Sequence, residues 1–482
     1  MSGDGSGVHC SAPGFDSDGG VIIADVDGDG RNEVVGDTSG YQVRALDGDC
    51  NVEWTSNAFS LLYPVPTAAD LNADGTPEVV FDAAVVNGRT GATVATLVPN
   101  NGSCWRAPFT GDFDQDGDVE IMLANTVFDG QGNALWSAPG SGTSCFGGAI
   151  NLDADPQAEI FLSYGTVLGA YEHDGTLIWS RNLAVANPGP PCAGDIDGDG
   201  EAEIIAPNGT QLTAFEADGS FKWTAPMQDS SGAAGCSVFD MNGDQVYEVL
   251  FADETALRLY DGATGTVLWQ NTTHDSVTYF ETPTVADVDN DGSAEMLVAN
   301  SGALSGLTVF GHNGSGWPAS GPTWGLHDFS ATNQLPDGTI PATPVAPWLQ
   351  YNIFRGRPFD DEAGAPNLVG EVTDVCVSSC LPRVGVVTLA VQVANDGGSD
   401  ARETLASLYL VNPANGNEFL YDTITVPAAV AGEVETAVTF EVSVADWTGE
   451  YLVRLDDDGT HGSLGECDEG DNEIRGSADV CP

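Results

Sequence analysis

Cationic side chains are scarce in this chain of 482 residues. It has 13 lysines and arginines against 72 aspartates and glutamates, for a formal net charge of −59, and Lys222 is its single lysine. A field of that sign repels nucleic acid, anionic lipid and acidic polysaccharide. The sequence therefore predicts no nucleic-acid partner. It also argues against lyases of acidic sugars, which need cationic groups in their sites.

Membrane-spanning and catalytic signatures are also missing. No apolar run reaches the length of a membrane span, so we expect no membrane insertion. No GxSxG or HExxH run occurs and the six histidines are scattered, which argues against an enzyme. The ten cysteines form no CxxC pair, a pattern that favours disulfides in an oxidising compartment over zinc. The first residues lack the basic and apolar regions of a signal peptide. We therefore expect an extracellular or cell-surface chain, either with its signal removed or as a segment of a longer protein.

One acidic run of nine residues is present seven times, and we number its copies loop one to loop seven in chain order. Successive copies start 39 to 47 residues apart. They read DVDGDGRNE from Asp25, DLNADGTPE from Asp70, DFDQDGDVE from Asp112, NLDADPQAE from Asn151, DIDGDGEAE from Asp195, DMNGDQVYE from Asp240 and DVDNDGSAE from Asp287. A period of this length indicates stacked or radially arranged units.

The pattern within the loops favours a hard cation. Positions 1, 3 and 5 are Asp or Asn and position 9 is always Glu, which suits an ion that takes 6–8 oxygen ligands. Position 6 is Gly in five loops, where the chain must turn back with a positive φ, and the carbonyl of position 7 would then face inward. Turn formation alone also uses Asp, Asn and Gly. It does not require the Glu, so we favour calcium.

We predict five strong calcium sites and up to seven in all. The weak ones are loop four, with Asn151 first and Pro156 in the Gly position, and loop six, with Gln245 there. The candidate ligands are Asp25, Asp27, Asp29, Arg31 and Glu33; Asp70, Asn72, Asp74, Thr76 and Glu78; Asp112, Asp114, Asp116, Asp118 and Glu120; Asn151, Asp153, Asp155, Gln157 and Glu159; Asp195, Asp197, Asp199, Glu201 and Glu203; Asp240, Asn242, Asp244, Val246 and Glu248; Asp287, Asp289, Asp291, Ser293 and Glu295.

Each repeat contains four strand-like pieces, and turn residues such as ADGS and DGATG separate the third from the fourth. Four short antiparallel strands in a unit of this length match one propeller blade. A tryptophan recurs in the fourth piece, where we expect it to pack between blades: Trp54, Trp136, Trp179, Trp223, Trp269 and Trp317. Trp105, Trp324 and Trp348 fall outside that pattern and are better candidates for contact with a ligand.

These loops resemble the FG-GAP/VCBS repeats of integrin α-chain-like propellers, over residues 8–358. The resemblance implies a calcium-binding β-propeller with the ion in the loop between the first and second strands of a blade, held by positions 1, 3, 5 and 9. Integrin-type loops usually end in Asp, and the Glu here resembles bacterial variants. Seven loops predict seven blades. Pro341–Phe354 reads like a further first strand, so an eight-bladed propeller is the alternative.

The pattern changes after a polar linker at 359–366. Residues 367–482 alternate apolar and polar side chains at period two, in about seven short strands, which predicts an immunoglobulin-like β-sandwich. This part resembles the bacterial cell-adhesion-related domain (CARDB), whose last strand follows an acidic motif, here Gly465–Glu473. The fold class predicted for the whole chain is all-β, a propeller followed by a sandwich.

The cysteine positions allow a pairing scheme, although sequence does not fix connectivity. Neighbouring pairs could cross-link repeats, and the first pair could anchor the amino-terminal arm: Cys104–Cys145, Cys192–Cys236 and Cys10–Cys50. Cys376, Cys380, Cys467 and Cys481 would then pair within the second domain, which leaves no free thiol. A free catalytic thiol is the alternative, and no Cys–His spacing supports it.

Three functions are compatible with these features. The first is an extracellular calcium-binding adhesion or recognition protein, with an unidentified protein or glycan ligand or self-association. The second is a structural subunit of an extracellular filament or surface coat. A polysaccharide-active enzyme is the least favoured. For the first, we expect ligand contact on the face opposite the calcium loops, near Trp105 and Trp324.

Overall fold

The chain is almost entirely β-structure in the part that the computed structural model describes. Those residues are 10–11, 14–15, 20–59, 65–82, 84–100, 104–140, 144–153, 155–186, 188–244, 246–274, 276, 281–288, 293–300, 306–311, 317–318, 320–358, 368–380, 385–395, 404–427, 434–455 and 473–478. Among them, no helix is long and apolar enough to cross a membrane.

Residues 21–310 form seven small sheets, which we number in chain order, each antiparallel apart from one pairing of β9 described below. Sheets one to three contain β1 (Val21–Ala24), β2 (Glu33–Thr38), β3 (Gln42–Leu46) and β4 (Val52–Thr55); β5 (Thr67–Ala69), β6 (Glu78–Phe81), β7 (Ala84–Asn87) and β8 (Thr93–Thr96); and β10 (Phe109–Gly111), β11 (Glu120–Leu123), β12 (Thr126–Phe128) and β13 (Ala134–Ser137). Sheet four contains β9 (Trp105–Arg106), β14 (Ser144–Ile150), β15 (Glu159–Tyr164), β16 (Val167–Tyr171) and β17 (Leu177–Asn182). Sheets five to seven contain β18 (Cys192–Gly194), β19 (Glu203–Asn208), β20 (Gln211–Phe215) and β21 (Phe221–Pro226); β22 (Cys236–Phe239), β23 (Glu248–Ala252), β24 (Leu257–Tyr260) and β25 (Val267–Asn271); and β26 (Thr284–Ala286), β27 (Glu295–Asn300) and β28 (Gly306–Phe310).

Burial changes across each sheet in a regular way. Second strands such as β6 and β11 are buried along their whole length, whereas the fourth strands β8 and β13 have mostly exposed side chains. Continuous apolar runs are buried on both faces, which requires a neighbour on each side of the sheet. Sheets one to six therefore have an inner end at their first two strands and an outer end at their fourth, and sheet seven has three strands in the described residues.

The recurring tryptophans join neighbouring sheets, as the sequence predicts. The indole N–H of Trp179 donates to Ala217 O at 2.9 Å and that of Trp223 to Gly262 O at 2.6 Å, in the hairpin turn of the next sheet in each case. Gly219 and Gly265 in those turns have positive φ, and a Cβ on either would lie within 2.6 Å of the indole ring. The turn glycine thus serves both the hairpin and the packing of the indole.

Disulfides also connect neighbouring sheets. Cys104–Cys145 and Cys192–Cys236 have Cα–Cα distances of 5.7 and 5.5 Å, and Cys10–Cys50 ties the amino-terminal residues to the first hairpin, so three predicted pairs are confirmed. The bond at Cys145 accompanies a parallel pairing of β9 with β14, which places the start of the third repeat on sheet four.

The prediction of no free thiol is wrong for Cys376. Its thiol is free and exposed, and it donates to Asp374 Oδ2 at 2.9 Å. Cys380 is disulfide-bonded, and Cys467 and Cys481 lie outside the described residues.

Residues 320–358, which we call the return segment, contact the inner end of every sheet. Gly325 O accepts from Ile23 N of sheet one, and Asp328 binds Thr67 of sheet two and Thr110 of sheet three. The contacts with sheets four to seven are Asn352 with Asn151, Phe354 with Ala193, Arg355 with Val238, and Arg357 with Val285. The return segment therefore contacts the inner end of all seven sheets.

The reading of Pro341–Phe354 as an eighth first strand is wrong. The segment contains only the short helix α1 (Pro347–Gln350) and an isolated bridge at Phe354, and it starts no eighth sheet among the described residues. Pro341, Pro344 and Pro347 explain this, because each lacks the N–H that a sheet ladder requires.

The carboxyl-terminal part forms two further sheets around one core. Their strands are β29 (Leu368–Val377), β30 (Val386–Asn395) and β33 (Val434–Ser443) in one sheet, and β32 (Glu418–Val426), β31 (Thr404–Val411), β34 (Glu450–Leu455) and β35 (Glu473–Ser477) in the other. Alternating side chains of β30, including Val387, Leu389 and Val391, are fully buried, as period two predicts. The predicted linker at 359–366 and most of Gly465–Glu473 lie outside the described residues.

Candidate metal centres

All seven acidic runs connect the first strand of a sheet to its second, as the family resemblance implies. The position-1 carboxylate caps the turn: Asp25 Oδ2 accepts from Gly30 N at 2.9 Å, and Asp195 Oδ2 accepts from Gly200 N at the same distance. The φ angles of those glycines, +87° and +88°, confirm the predicted left-handed position 6. The turn is therefore shaped by bonds within the loop itself.

Positions 5 and 7 are linked in the same regular way. The position-5 Asp accepts the backbone N–H of position 7 in six loops, at 2.8–3.0 Å: Arg31 to Asp29, Thr76 to Asp74, Asp118 to Asp116, Gln157 to Asp155, Glu201 to Asp199 and Val246 to Asp244. In loop seven, Ser293 Oγ donates to Trp317 O at 3.1 Å. Asp289 and Asp291 lie outside the described residues.

The position-9 glutamate has a structural bond in every loop. One carboxylate oxygen accepts the backbone N–H of position 2, at distances up to 3.1 Å, in the pairs Val26–Glu33, Leu71–Glu78, Phe113–Glu120, Leu152–Glu159, Ile196–Glu203, Met241–Glu248 and Val288–Glu295. Closing the loop uses one oxygen of this Glu, so the residue also has a role in the turn itself. The second oxygen takes no part in closing the loop.

The surroundings of the second oxygen of the position-9 glutamate differ between the loops. In loops two and six, the position-3 amide donates to it, Asn72 to Glu78 at 3.3 Å and Asn242 to Glu248 at 2.8 Å. In loop four, Glu159 Oε1 is buried without a hydrogen-bond partner, and Glu203 Oε1 of loop five is in the same state. A buried, unpaired carboxylate oxygen is costly and calls for a cation.

Carboxylate oxygens from several positions converge to within 4.8 Å of one another in loops one, three, four and five. These groups are Asp25, Asp27 and Asp29; Asp112, Asp114 and Glu120; Asp153, Glu159 and Glu172; Asp195, Asp197 and Asp199; and Asp199, Glu203 and Glu216. Loop four, predicted to be weak, is among them. Loop two, predicted to be strong, is not among the groups found in the described residues.

Glu172 and Glu216 are additional acidic groups that the nine-residue pattern does not contain. Each directly follows the third strand of its sheet, where sheets one, three and six have an Asp, and Asp129 of sheet three caps its own hairpin by accepting from Asn133 N at 2.8 Å. A Glu is one methylene longer and extends to the loop instead. The sequence contains a signal for these two residues, because Glu rather than Asp begins the hairpin turn between the third and fourth strands.

Burial raises the pKa of the position-9 glutamates far above 4.5, and neighbouring loop carboxylates raise it further. The pKa is about 8 for Glu33, Glu120 and Glu248 and about 7 for Glu78 and Glu159. A group of oxygen donors that is this costly to ionise without a counter-charge fits a hard divalent cation. The residues present therefore fit calcium at the convergent loops one, three and four.

A pocket of about 760 Å³ lies beside loops four and five. Its lining includes Asp153, Asp155, Glu201, Leu349 and Tyr351. Trp348, predicted to contact a ligand, is only 4 % exposed, and its indole N–H holds Pro156 O at 3.1 Å. The pocket is on the side of the calcium loops, where no ligand contact was predicted.

The other two tryptophans outside the pattern pack within the protein. Trp324 stacks on Phe329 with ring centroids 4.8 Å apart, and Trp105 lies against Val65, Ala107 and Phe146. These contacts favour a packing role for both.

The chain is similar to one family model and to several solved structures. Residues 240–298, which span loops six and seven, match the model of the FG-GAP-like repeat. The chain is similar to the crystal structure of the V. cholerae biofilm matrix protein Bap1, at 17 % identity, 71 % of this chain, 85 % of that chain and a TM-score of 0.62.

More distant likenesses are to BBS1N in complex with ARL6DN (10 % identity, 60 % of this chain, 91 % of that chain, TM-score 0.42) and to the rhamnogalacturonan lyase PL11 of Bacillus licheniformis (18 %, 63 %, 74 %, 0.39). None of the curated proteins matches the sequence. At these identities the likeness to Bap1 shows a shared β-rich fold, and the two more distant likenesses carry no argument.

Proposed function

We propose that this chain is an extracellular adhesion or recognition protein whose seven sheets are the blades of a calcium-stabilised β-propeller. The observation that carries the proposal is the set of equivalent loops, four of which bring carboxylates together and all of which are buried at the same glutamate. The return segment, bound to every inner strand, supports a radial arrangement. The fold similarity to a biofilm matrix protein agrees with this role.

Three disulfides support an oxidising, extracellular location. The two carboxyl-terminal sheets are proposed to be an immunoglobulin-like, CARDB-like unit that acts as a spacer or as a second adhesive domain. Lysine and histidine are rare and scattered in the sequence, and we do not propose an enzyme.

A binding screen against glycans and cell surfaces, with calcium and then with chelator, tests the proposal. A variant of loop three, Asp112→Asn with Asp114→Asn and Glu120→Gln, should lose calcium at that loop and weaken any binding. Asp129→Asn, in an exposed hairpin turn of the same sheet, is the matched control and should change neither. Calcium-independent binding, or a loop-three variant that binds as much calcium as the control, would contradict the proposal.

A second candidate function is a structural subunit of a filament or coat, built from copies of this chain. In the described part of the domain, strand β32 pairs with β31 and ends its sheet, and an edge strand is a template for pairing with another chain. It also exposes three large apolar side chains in succession, Phe419 at 55 %, Leu420 at 48 % and Tyr421 at 37 %. Together these features favour contact with a second copy.

Light scattering distinguishes the two functions. If β32 drives assembly, particles larger than one chain should form and Phe419→Lys should return them to single chains. Leu335→Lys, at an exposed apolar residue of the return segment, is the control and should not. A monomer at all concentrations would refute the structural role and leave adhesion.

A further inference from the structure

The single lysine of the chain lies inside loop five. Lys222 Nζ donates to Asp197 Oδ2 and to Glu216 Oε1, the latter at 3.1 Å, and lies 3.8 Å from Glu203 Oε1. Only 8 % of its side chain is exposed. Position 3 and position 9 of the loop, together with the additional acidic group Glu216, thus surround one ammonium group.

A β-bulge directs this side chain to the loop. In sheet five, Ala214 pairs with Trp223 and Phe215 with Phe221, so Lys222 is the extra residue of the outer strand. A bulge re-aims the side chain of its extra residue. The same bulge occurs between the third and fourth strands of five other sheets, where the extra residue is Glu53, Val94, Leu135, Ile178 or Leu268.

The charge at the bulge position varies between sheets. Glu53 adds a negative charge beside loop one, where burial and then Asp27 raise its pKa. Lys222 adds the only positive charge at this position, and although burial opposes its ionisation, the hydrogen bonds that it donates to Asp197 and Glu216 raise its pKa. The apolar bulge residues, such as Leu135 at 54 % exposed, add none.

We propose that the Lys222 ammonium is the resident cation of loop five and takes the place of calcium there. It supplies one positive charge to three carboxylates and lies within 4 Å of the otherwise unpaired Glu203 Oε1. A divalent ion would have to displace this ammonium from a buried position and leave it without a partner. Loop five, predicted from its sequence to be a strong site, therefore keeps its shape without calcium.

This inference rests on the proposed function, because it assumes that the other convergent loops bind calcium. It predicts that the chain binds one calcium fewer than its number of convergent acidic loops. It also predicts that sheet five is the part of the repeat array that is least sensitive to chelation.

Equilibrium dialysis against calcium tests it on the full-length chain. Lys222→Met, which removes the charge and keeps the length, should bind one calcium more than the wild type, with at least tenfold higher affinity at loop five. Lys222→Arg should keep the wild-type number. Leu135→Lys, which places an ammonium at the equivalent bulge of sheet three, should bind one calcium fewer. An unchanged number in Lys222→Met would overturn the inference.

A chemical measurement on the wild type is independent of how the variants fold. Lys222 is the only side-chain amine, so an acylating reagent followed by peptide mass spectrometry reports on it alone. Acylation should be slow in the native protein and the same with and without calcium. A tenfold faster reaction in calcium would show that the ion expels the lysine, and the inference would be wrong. If no variant binds any calcium, the proposed function fails, while slow, calcium-independent acylation would still uphold the ion pair.

Discussion

Removal of calcium should destabilise the seven sheets more at pH 8 than at pH 5.5. The reason is the buried glutamate at position 9, which has a pKa of about 8 in the folded loops one, three and six. Its ordinary value is 4.5. The folded state without calcium therefore prefers the protonated carboxyl.

The sign of the effect follows from that difference. Below pH 4.5 the glutamate is protonated in both the folded and the unfolded chain, so burial costs no ionisation. Between about pH 4.5 and pH 8 the unfolded chain ionises and the folded one does not, so the free energy of unfolding falls as pH rises. Since one unit of pKa corresponds to about 1.4 kcal/mol, each of these loops costs on the order of 4 kcal/mol at pH 8. Two such loops equal the net stability of an ordinary domain, about 5–15 kcal/mol.

Calcium reverses this cost by pairing the ionised carboxylates, and each site adds about 2.7 kcal/mol when calcium is at 100 times its Kd. Differential scanning calorimetry of the full chain, freed of calcium on a chelating resin, should show the transition of residues 21–310 falling by many degrees from pH 5.5 to pH 8. With calcium the fall should be much smaller.

The carboxyl-terminal sheets supply an internal control. Nine of the ten tryptophans precede residue 359, so tryptophan fluorescence assigns the calcium-dependent transition to the repeats. The transition of residues 368–478 should not respond to calcium, because none of the convergent acidic groups found in the described residues lies there. If the repeats melt at one temperature with and without calcium at both pH values, the loops are turns and the metal-site interpretation is wrong.

Three further predictions concern contacts that need no ion. Trp179→Ala should lower the free energy of unfolding by about 3–5 kcal/mol in urea denaturation, whereas Trp179→Phe, which loses mainly the bond to Ala217, should cost about 1 kcal/mol; equal losses would contradict the packing role of the aromatic ring. Native thiol labelling should modify Cys376 slowly at neutral pH, because its hydrogen bond to Asp374 raises the thiol pKa. The Asp374→Asn variant should react faster than the wild type at pH 8 and at the same rate at pH 11. Asn352→Ala should destabilise loop four by about 1–3 kcal/mol, because it removes both hydrogen bonds to the Asn151 backbone. The control Gln350→Ala, at an exposed residue of helix α1, should be neutral.

Local patterns predicted much of the fold. The strands of the repeats, the loop between first and second strands, the left-handed Gly30 and Gly200, and the inter-sheet tryptophans follow from residue types within one repeat. Two disulfides could be placed because the cysteines recur at one point of neighbouring repeats, and the third because Cys50 in the first hairpin turn could anchor the amino-terminal arm through Cys10. Period two predicted the seven strands that the described carboxyl-terminal residues contain.

Contacts between distant residues could not be predicted in the same way. Asn352 binds Asn151 across 201 positions, and no periodicity of either segment indicates the pair. The proline-rich return segment has strand-like composition between its prolines, yet its backbone donors are too few for a ladder. The ranking of the loops counted only the residues of the run and left out Glu172, Glu216 and Lys222, which come from later strands and turns.

The nine-residue pattern therefore meets two requirements, the backbone shape of the loop and the balance of its charges. Different groups meet each of them. Backbone shape comes from bonds within the loops, the position-9 closure in all seven and the position-1 cap of position 6 in loops one, two, three and five, and these need no metal. Charge balance is local to each loop, and it differs: an amide of Asn72 or Asn242 faces the free glutamate oxygen in loops two and six, an ammonium lies in loop five, and loops one and three have only carboxylates converging. Because only the second requirement depends on an ion, calcium should control the stability of the sheets unequally, most at loops one and three and least at loop five. A repeat array built in this way can keep part of its inner packing when calcium falls while the remaining sheets loosen.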